Sequence, residues 1–290
     1  MKRVWRIISI LIIVVVVLAL VKRFFFHPNV YPIKAWVFGW AGDTKVIESS
    51  TNTISKKELK RLRSLMQPGD IFLNRSDYYI SNIGIPGFWT HAGLYIGTPK
   101  ERKEMFKNDI VCSEWVKSCG EINGNFEDLL HHGFDEVYES NRVRWNERNI
   151  IEAKSEGVIL SSFTEGAQKD GIVVLRPIIS KREIAVGIYK AFGLVSKPYD
   201  YNFDFSTDTV IACTELVYRA YENSNLFPVS SMFGKPFITA NEIAEYCDLN
   251  YGKPELKLSL IYIYDGKNGY TAENDAAHLI FRKSWNESLW

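Results

Sequence analysis

The sequence predicts an α+β fold, with helices packed against a mainly antiparallel set of strands. Three observations carry that expectation. The run from His91 to Ile96 alternates with period two, as a half-buried strand does. Further apolar strand-like runs recur at 150–160, 171–177 and 258–264. Between them lie stripes at helical spacing, so helices sit beside the strands rather than alternating regularly with them.

Taken in order, Ser55-Lys56-Lys57-Glu58 forms a capping-box pattern and starts a helix striped by Leu59, Leu62, Leu65 and Met66. Pro68-Gly69 ends it. Ile71-Phe72-Leu73 reads as the first strand. The connection over 75–90 is unusually apolar, holding Tyr78, Tyr79, Ile80, Ile83, Ile85, Phe88 and Trp89; it reads as a groove wall or lid, or as a loop tucked into the core. In the strand from His91, Ala92, Leu94 and Ile96 share one face and His91, Gly93 and Tyr95 the other, with Gly93 leaving space beside the histidine. Residues 98–149 form a long charged insertion with short helices, one over Phe126 to His132. Gly171 to Pro177 is a strand. Lys181 to Val195 is a helix with Ile184, Ile188, Ala191, Phe192 and Val195 on one face. A helix capped by Thr239 and Glu242 follows, then a strand over Leu258 to Tyr264.

The 290 residues carry a net charge of +1, and no long basic run appears after residue 60, so nucleic acid is not an expected partner. The N-terminus differs from the rest. Ile7 to Val21 is apolar except for Ser9, with Lys2, Arg3 and Arg6 before it and Lys22 and Arg23 after. Fifteen helical residues span about 22 Å, to which Trp5 and Phe24 to Phe26 add apolar length. A cleaved signal peptide is the competing reading, but no small-x-small cleavage site follows the run. The expectation is therefore one N-terminal transmembrane helix within an anchor over 1–26, an aromatic juxtamembrane segment over 27–54, and one domain over 55–290. The basic N-terminal residues favour a cell-membrane protein, single-pass, with its body extracytoplasmic. The aromatic residues of 24–54 suit either the membrane interface or a cover for one side of the core.

Chemistry concentrates at three places. Cys213 lies in Thr-Val-Ile-Ala-Cys-Thr-Glu-Leu-Val-Tyr-Arg-Ala-Tyr, residues 209–221, at the first turn of a helix, where unpaired N–H groups and the dipole favour thiolate. His91 begins a strand. Glu152 lies on another. Nucleophile, base and orienting carboxylate are the parts of a cysteine-hydrolase site. Singly, each has a bland reading: a small buried hydrophobe, a satisfied histidine, a solvated carboxylate. Glu114, in the insertion, competes with Glu152, which is preferred for its apolar strand setting (Ile150 and Ile151 before it, Val158 to Leu160 after). Cys112 and Cys119 are spaced for a short-loop pair that the sequence alone does not establish. His131 and His132 are adjacent and point about 100° apart on a helix, so no metal site is expected, and no cofactor.

The segments Gln67-Pro68-Gly69-Asp70-Ile71-Phe72-Leu73 and Thr90-His91-Ala92-Gly93-Leu94-Tyr95-Ile96-Gly97 resemble the core of the NlpC/p60 superfamily of cell-wall hydrolases. The cysteine follows the histidine here, in a Cys-Thr-Glu-Leu-Val pattern. That order is similar to the circularly permuted, YiiX-like branch, which also contains the lecithin:retinol acyltransferase type. Ile151-Glu152-Ala153 matches the place of the polar third member, and Lys197 to Phe203 resembles the "G-x-PYD-x-x-F" segment, with Ser196 where the glycine usually stands. The likeness covers roughly residues 65–220. It implies a permuted papain-like, NlpC-type fold and a thioester mechanism using Cys213, His91 and Glu152. The Cys213 N–H is the natural oxyanion donor, with Tyr199 as a second; Asp70 and Trp89 join Tyr199 as candidates for substrate binding or the oxyanion site. The expected substrate is an amide bond in a peptidoglycan stem peptide. An acyl-ester or lipid substrate is the alternative, and a membrane-anchored binding module without activity is a third reading.

Overall fold

A computed structural model describes residues 12–17, 19, 20, 31–46, 52–83, 85, 87–142, 147–232 and 234–287. Residues 12–17 and 19–20 are helical and exposed. Among the described residues no helix is long and apolar enough to cross a membrane; most of the expected anchor, 1–26, lies outside them.

The centre of the molecule is a seven-stranded antiparallel sheet. Its strands are β1 (Ile71–Arg75), β2 (His91–Tyr95), β3 (Ile150–Lys154), β4 (Gly157–Ser161), β5 (Gly171–Pro177), β8 (Leu258–Asp265) and β9 (Tyr270–Glu273). They lie in the order β4-β3-β2-β1-β5-β8-β9, and β6 (Ser230–Met232) with β7 (Lys235–Phe237) forms a separate hairpin. This is the α+β, antiparallel arrangement that the period-two runs predict.

The pleat of the sheet divides the core in two. Ala92, Leu94 and Ile96 face a large apolar layer with Ile184, Ile188, Leu216 and Val217. Those residues come from α8 (Lys181–Leu194) and α9 (Cys213–Tyr221). Phe72, Tyr95, Ile150 and Tyr262 face a smaller layer closed by Leu59 and Leu62 of α2 (Lys56–Leu65). Ser55 caps α2 by accepting the Glu58 N–H at 3.2 Å. Thr239 and Glu242 form the expected box on α10 (Ala240–Leu249), and α11 (Asn274–Phe281) packs beside β8.

The insertion is helical: α3 (Pro99–Phe106), α4 (Ile110–Ser118), α5 (Phe126–Gly133) and α6 (Asp135–Arg142). Its hub is Arg102, which is fully buried. The guanidinium makes a forked pair with Glu127 at 2.9 and 2.8 Å and donates to Asn141 Oδ1 and to the carbonyls of Ile96 and Gly97. Trp115 and Phe134 then pack on Tyr189 of α8. Cys112 and Cys119 are free thiols, one buried and one exposed. Seven residues along one helix separate their Cα atoms by about 10 Å, beyond disulfide reach. A short helix, α7 (Phe163–Ala167), follows β4.

Before the sheet comes α1 (Tyr31–Asp43), from the aromatic segment. It is docked on the loop that follows α8. The Tyr31 hydroxyl donates to the Tyr199 carbonyl at 2.8 Å, and Lys34 Nζ donates to Asn202 Oδ1 at 2.5 Å. Phe38 stacks on Tyr201 with ring centroids 6.3 Å apart.

Candidate active site

Antiparallel register builds one half of the site. Gly93 of β2 lies opposite Glu152 of β3, so His91, two residues earlier on the same face, is the diagonal neighbour of Glu152. His91 Nε2 and Glu152 Oε2 meet at 2.8 Å. Gly93 is required between them: a Cβ there would lie 2.3 Å from the Phe72 ring. The space that the sequence leaves beside the histidine is filled by that ring, whose centroid is 6.5 Å from the imidazole.

The other half is the start of α9. Pro198 to Asp200 runs beside Ile211: Asp200 N–H donates to the Ile211 carbonyl, Ile211 N–H to the Pro198 carbonyl, and Tyr199 bridges Ile211 in parallel. The Asp200 carboxylate then accepts the N–H groups of Asn202 and Asp204 at 2.7 and 2.6 Å, which fixes the turn. Glu215 caps α9 by accepting the Ala212 N–H at 3.2 Å. It also pairs with Arg219 at 3.1 Å, and Arg219 holds the carbonyls of Phe205 and Thr207. Burial raises Glu215 to about 7, against the pull of Ala212 N–H and Arg219. These contacts leave Cys213 as the first helical residue, where its N–H has no intrahelical acceptor.

The two halves meet at the sulfur. Cys213 and His91 line the same cleft and interact electrostatically; with Nε2 on Glu152, Nδ1 is the ring nitrogen left for the sulfur. The N–H groups of Ala92 and Thr214 also favour a charged sulfur, and Tyr199 is the phenol beside it in the cleft. Burial opposes charge on the thiol, but His91 and these N–H groups outweigh it, so Cys213 is held below the ordinary thiol range. Burial likewise disfavours a charged His91, yet Cys213 and Glu152 raise it to about 9. Glu152 is fully buried, and despite the burial penalty His91 and Lys154 keep its carboxyl well below the usual range. Burial and the neighbouring sulfur push Tyr199 well above an ordinary phenol. The arrangement brings together a thiol with a lowered pKa, an imidazole with a raised one and a buried carboxylate.

Lys154 was not anticipated. Its Nζ lies 2.6 Å from Glu152 Oε1. The signal was present in the sequence, since it stands two residues after Glu152 and so on the same strand face. Glu114, the competing carboxylate, is exposed on α4.

Asp70 and Trp89 do not join the site. Asp70 is buried in a forked pair with Arg176 at 2.7 and 2.8 Å and accepts the Gln67 N–H, so it ties the Pro68-Gly69 turn to β5. Trp89 is fully buried and its indole N–H donates to Ser284 Oγ. Trp89 therefore serves packing and Asp70 the turn before β1, while Tyr199 lines the cleft with Cys213.

A cleft of about 650 Å³ opens over His91, Tyr199 and Cys213. One wall is the loop before β2, with Tyr79, Ile80 and Ile85; Phe88 and Trp89 of the same loop enter the core instead. Tyr201 and Phe203 form another side, and Lys154 and Lys169 bring positive charge. The remaining wall is α1, through Val37, Phe38, Trp40 and Ala41. Away from the cleft, on α5 and α6, His131, Asp135 and Glu139 place one ligand atom each within 4.8 Å of one another. His131 already pairs with both acids, at 3.0 and 3.5 Å, and the two acids are exposed, so an ion is not needed to explain the cluster.

A cysteine at a helix start beside a histidine from a neighbouring strand is the arrangement of the papain-like class of cysteine enzymes, and the chain order here is His91, Glu152, Cys213. The chain belongs to the family of permuted papain-like amidase enzymes of the YaeF/YiiX type, the C92 family, whose pattern matches residues 65–246. It is also similar to the metalloprotein yiiX of Escherichia coli O157:H7. That crystal structure aligns with 74% of this chain and 92% of its own, at 15% identity and a TM-score of 0.37. No curated protein matches the chain significantly.

Proposed function

We propose that this protein is a membrane-anchored cysteine hydrolase that cleaves an amide bond through a thioester on Cys213. The observation that carries the reading is that Cys213 and His91 line one cleft while buried Glu152 holds the imidazole from behind at 2.8 Å. In this reading the Cys213 thiolate attacks the carbonyl carbon. The Cys213 N–H and the Tyr199 hydroxyl face the developing oxyanion. The His91 imidazolium gives its proton to the leaving amine; then, as neutral base, it takes a proton from the water that opens the thioester. Glu152 is a positioning residue, holding the ring and its charge. The apolar run Ile7–Val21 holds the body outside the cytoplasmic membrane, and peptidoglycan stem peptides are the amide substrate within reach.

One observation favours a second substrate class. Phe38, Ile80, Tyr201 and Phe203 line the cleft, which suits an acyl chain better than a peptide. A panel of muropeptides beside acyl amides and acyl esters, given to the full chain in detergent, separates the two. The hydrolase reading expects release of an amine from at least one amide, lost in Cys213→Ala. No turnover of any member, together with no reaction of Cys213 with a thiol probe, would leave a binding module and sink the hydrolase.

A further inference from the structure

Helix α1 lacks a polar side. Its sequence, Tyr-Pro-Ile-Lys-Ala-Trp-Val-Phe-Gly-Trp-Ala-Gly-Asp, holds two charged residues. One of them, Lys34, points inward and is 3% exposed, bonded to Asn202. The inner face, with Lys34, Phe38 and Ala41, packs on the loop at 199–203 and walls the cleft. The outer face carries Ile33, Trp36 and Trp40, spaced three and four residues apart, at 57, 72 and 54% exposure. A helix that is apolar all round is normally covered on every side. Here one side has no cover within the described residues.

We infer that the outer face of α1 docks on a lipid bilayer surface, which places the mouth of the Cys213 cleft at the membrane interface. The occupant follows from three facts. Two of the three residues on the stripe are tryptophan, the side chain that favours the headgroup level of a bilayer. Nine residues lie between the end of the apolar run Ile7–Val21 and Tyr31, and such a link reaches at most about 35 Å. A chain held in a membrane by that run therefore keeps α1 within reach of its surface. Finally, Trp40 belongs both to the stripe and to the cleft lining, so apolar surface continues from the outer face into the site. An amphiphile leaving the bilayer would meet that continuous surface before it met the sulfur. The inference rests on the membrane placement proposed above and deepens it, and it does not require the hydrolase chemistry.

The test uses the full chain with Trp5→Phe, reconstituted in phosphatidylcholine vesicles whose acyl chains are brominated near the headgroup. Brominated lipid is expected to quench tryptophan emission, and adding Trp36→Phe with Trp40→Phe is expected to reduce that quenching by about twofold or more. Quenching that stays unchanged overturns the docking. A second measurement follows the Cys213 peptide by mass spectrometry after labelling with N-ethylmaleimide or with a phospholipid carrying maleimide on its headgroup. Ile33→Glu with Trp36→Glu is expected to leave the soluble reagent's rate unchanged and to lower the lipid reagent's rate about tenfold. An unchanged ratio of the two rates also overturns it. Failure of N-ethylmaleimide to react with Cys213 in the unsubstituted chain would instead count against the hydrolase reading, so the two failures are distinguishable.

Discussion

At the scale of single residues, the pairing of Cys213 and His91 makes a prediction with a definite sign. Cys213 is held below its usual range and His91 is raised to about 9, so each favours the charged form of the other. Alkylation of Cys213 by iodoacetamide should slow less between about pH 9 and pH 7 than that of an ordinary thiol, which slows roughly twentyfold. His91→Ala removes the main influence lowering the thiol and should cut the rate at pH 7 by about tenfold or more. In the proposed mechanism turnover needs the imidazolium proton, so kcat/KM should fall as pH rises through about 9. Glu152→Gln keeps a hydrogen-bond partner but loses the charge that favours imidazolium. The alkaline limb should then move to lower pH and kcat drop by about a hundredfold. An unmoved limb would show that the carboxylate does not act through the ring. The positions of these residues were legible: a helix start, a strand start, a strand neighbour. Lys154 and Tyr199 were legible only in part, since a pairing across space has no signature along the chain. Ser196 is informative in another way. Its φ of 73° is the left-handed region, which explains why glycine is usual there in the family pattern.

At the scale of elements, helices and strands followed from their own periodicity, and contacts between distant segments did not. The helix at 126–133 and the strand at 171–177 are where their stripes place them. The role of α1 was open between membrane surface and core cover, because both demand the same aromatic residues. The structure assigns one face of the helix to the body and leaves the other outward. The loop before β2 split similarly: Tyr79, Ile80 and Ile85 wall the cleft, and Phe88 and Trp89 pack inside. The insertion hangs on Arg102, whose partners Glu127 and Asn141 come from α5 and α6 and whose carbonyl acceptors end β2. Removing a buried charge that holds another leaves the second uncompensated, at a cost of about 3–5 kcal/mol. Arg102→Leu should therefore loosen α3 to α6, seen as faster amide exchange over 99–142. Exchange in α9, which lies outside that network, should change little. Equal acceleration in both would mean that the insertion and the catalytic core unfold as one unit.

At the scale of the whole molecule, the sheet joins segments far apart in sequence: β1 lies between β2 and β5, and β5 pairs with β8. The pairing is held at one end by Arg75, which is fully buried on β1. It donates to Asp77 at 3.1 Å and to Asp265 on β8 at 3.0 Å, and its guanidinium lies 3.8 Å from the centre of the Phe88 ring. Asp170 joins the same knot by accepting the Asp77 N–H at 2.8 Å. The strand pattern foretells none of this, because an arginine inside a strand reads as a solvent-facing residue until its partners are known. Arg75→Met keeps the volume and strips two buried carboxylates of their cation, for a cost of about 3–5 kcal/mol. In a chain of this size that lowers Tm by about 6–20 °C. The cysteines give a local readout of the same event. Cys112 and Cys247 are buried and burial raises both thiols, so they should react with a maleimide only when the core opens. In Arg75→Met their labelling should begin at a temperature lowered in step with Tm. Cys213, at the far side of β1 from Asp265 and held by contacts that exclude Arg75, should keep its alkylation rate at 25 °C. A Tm shift below about 2 °C would show that the knot contributes no more than a surface ion pair does.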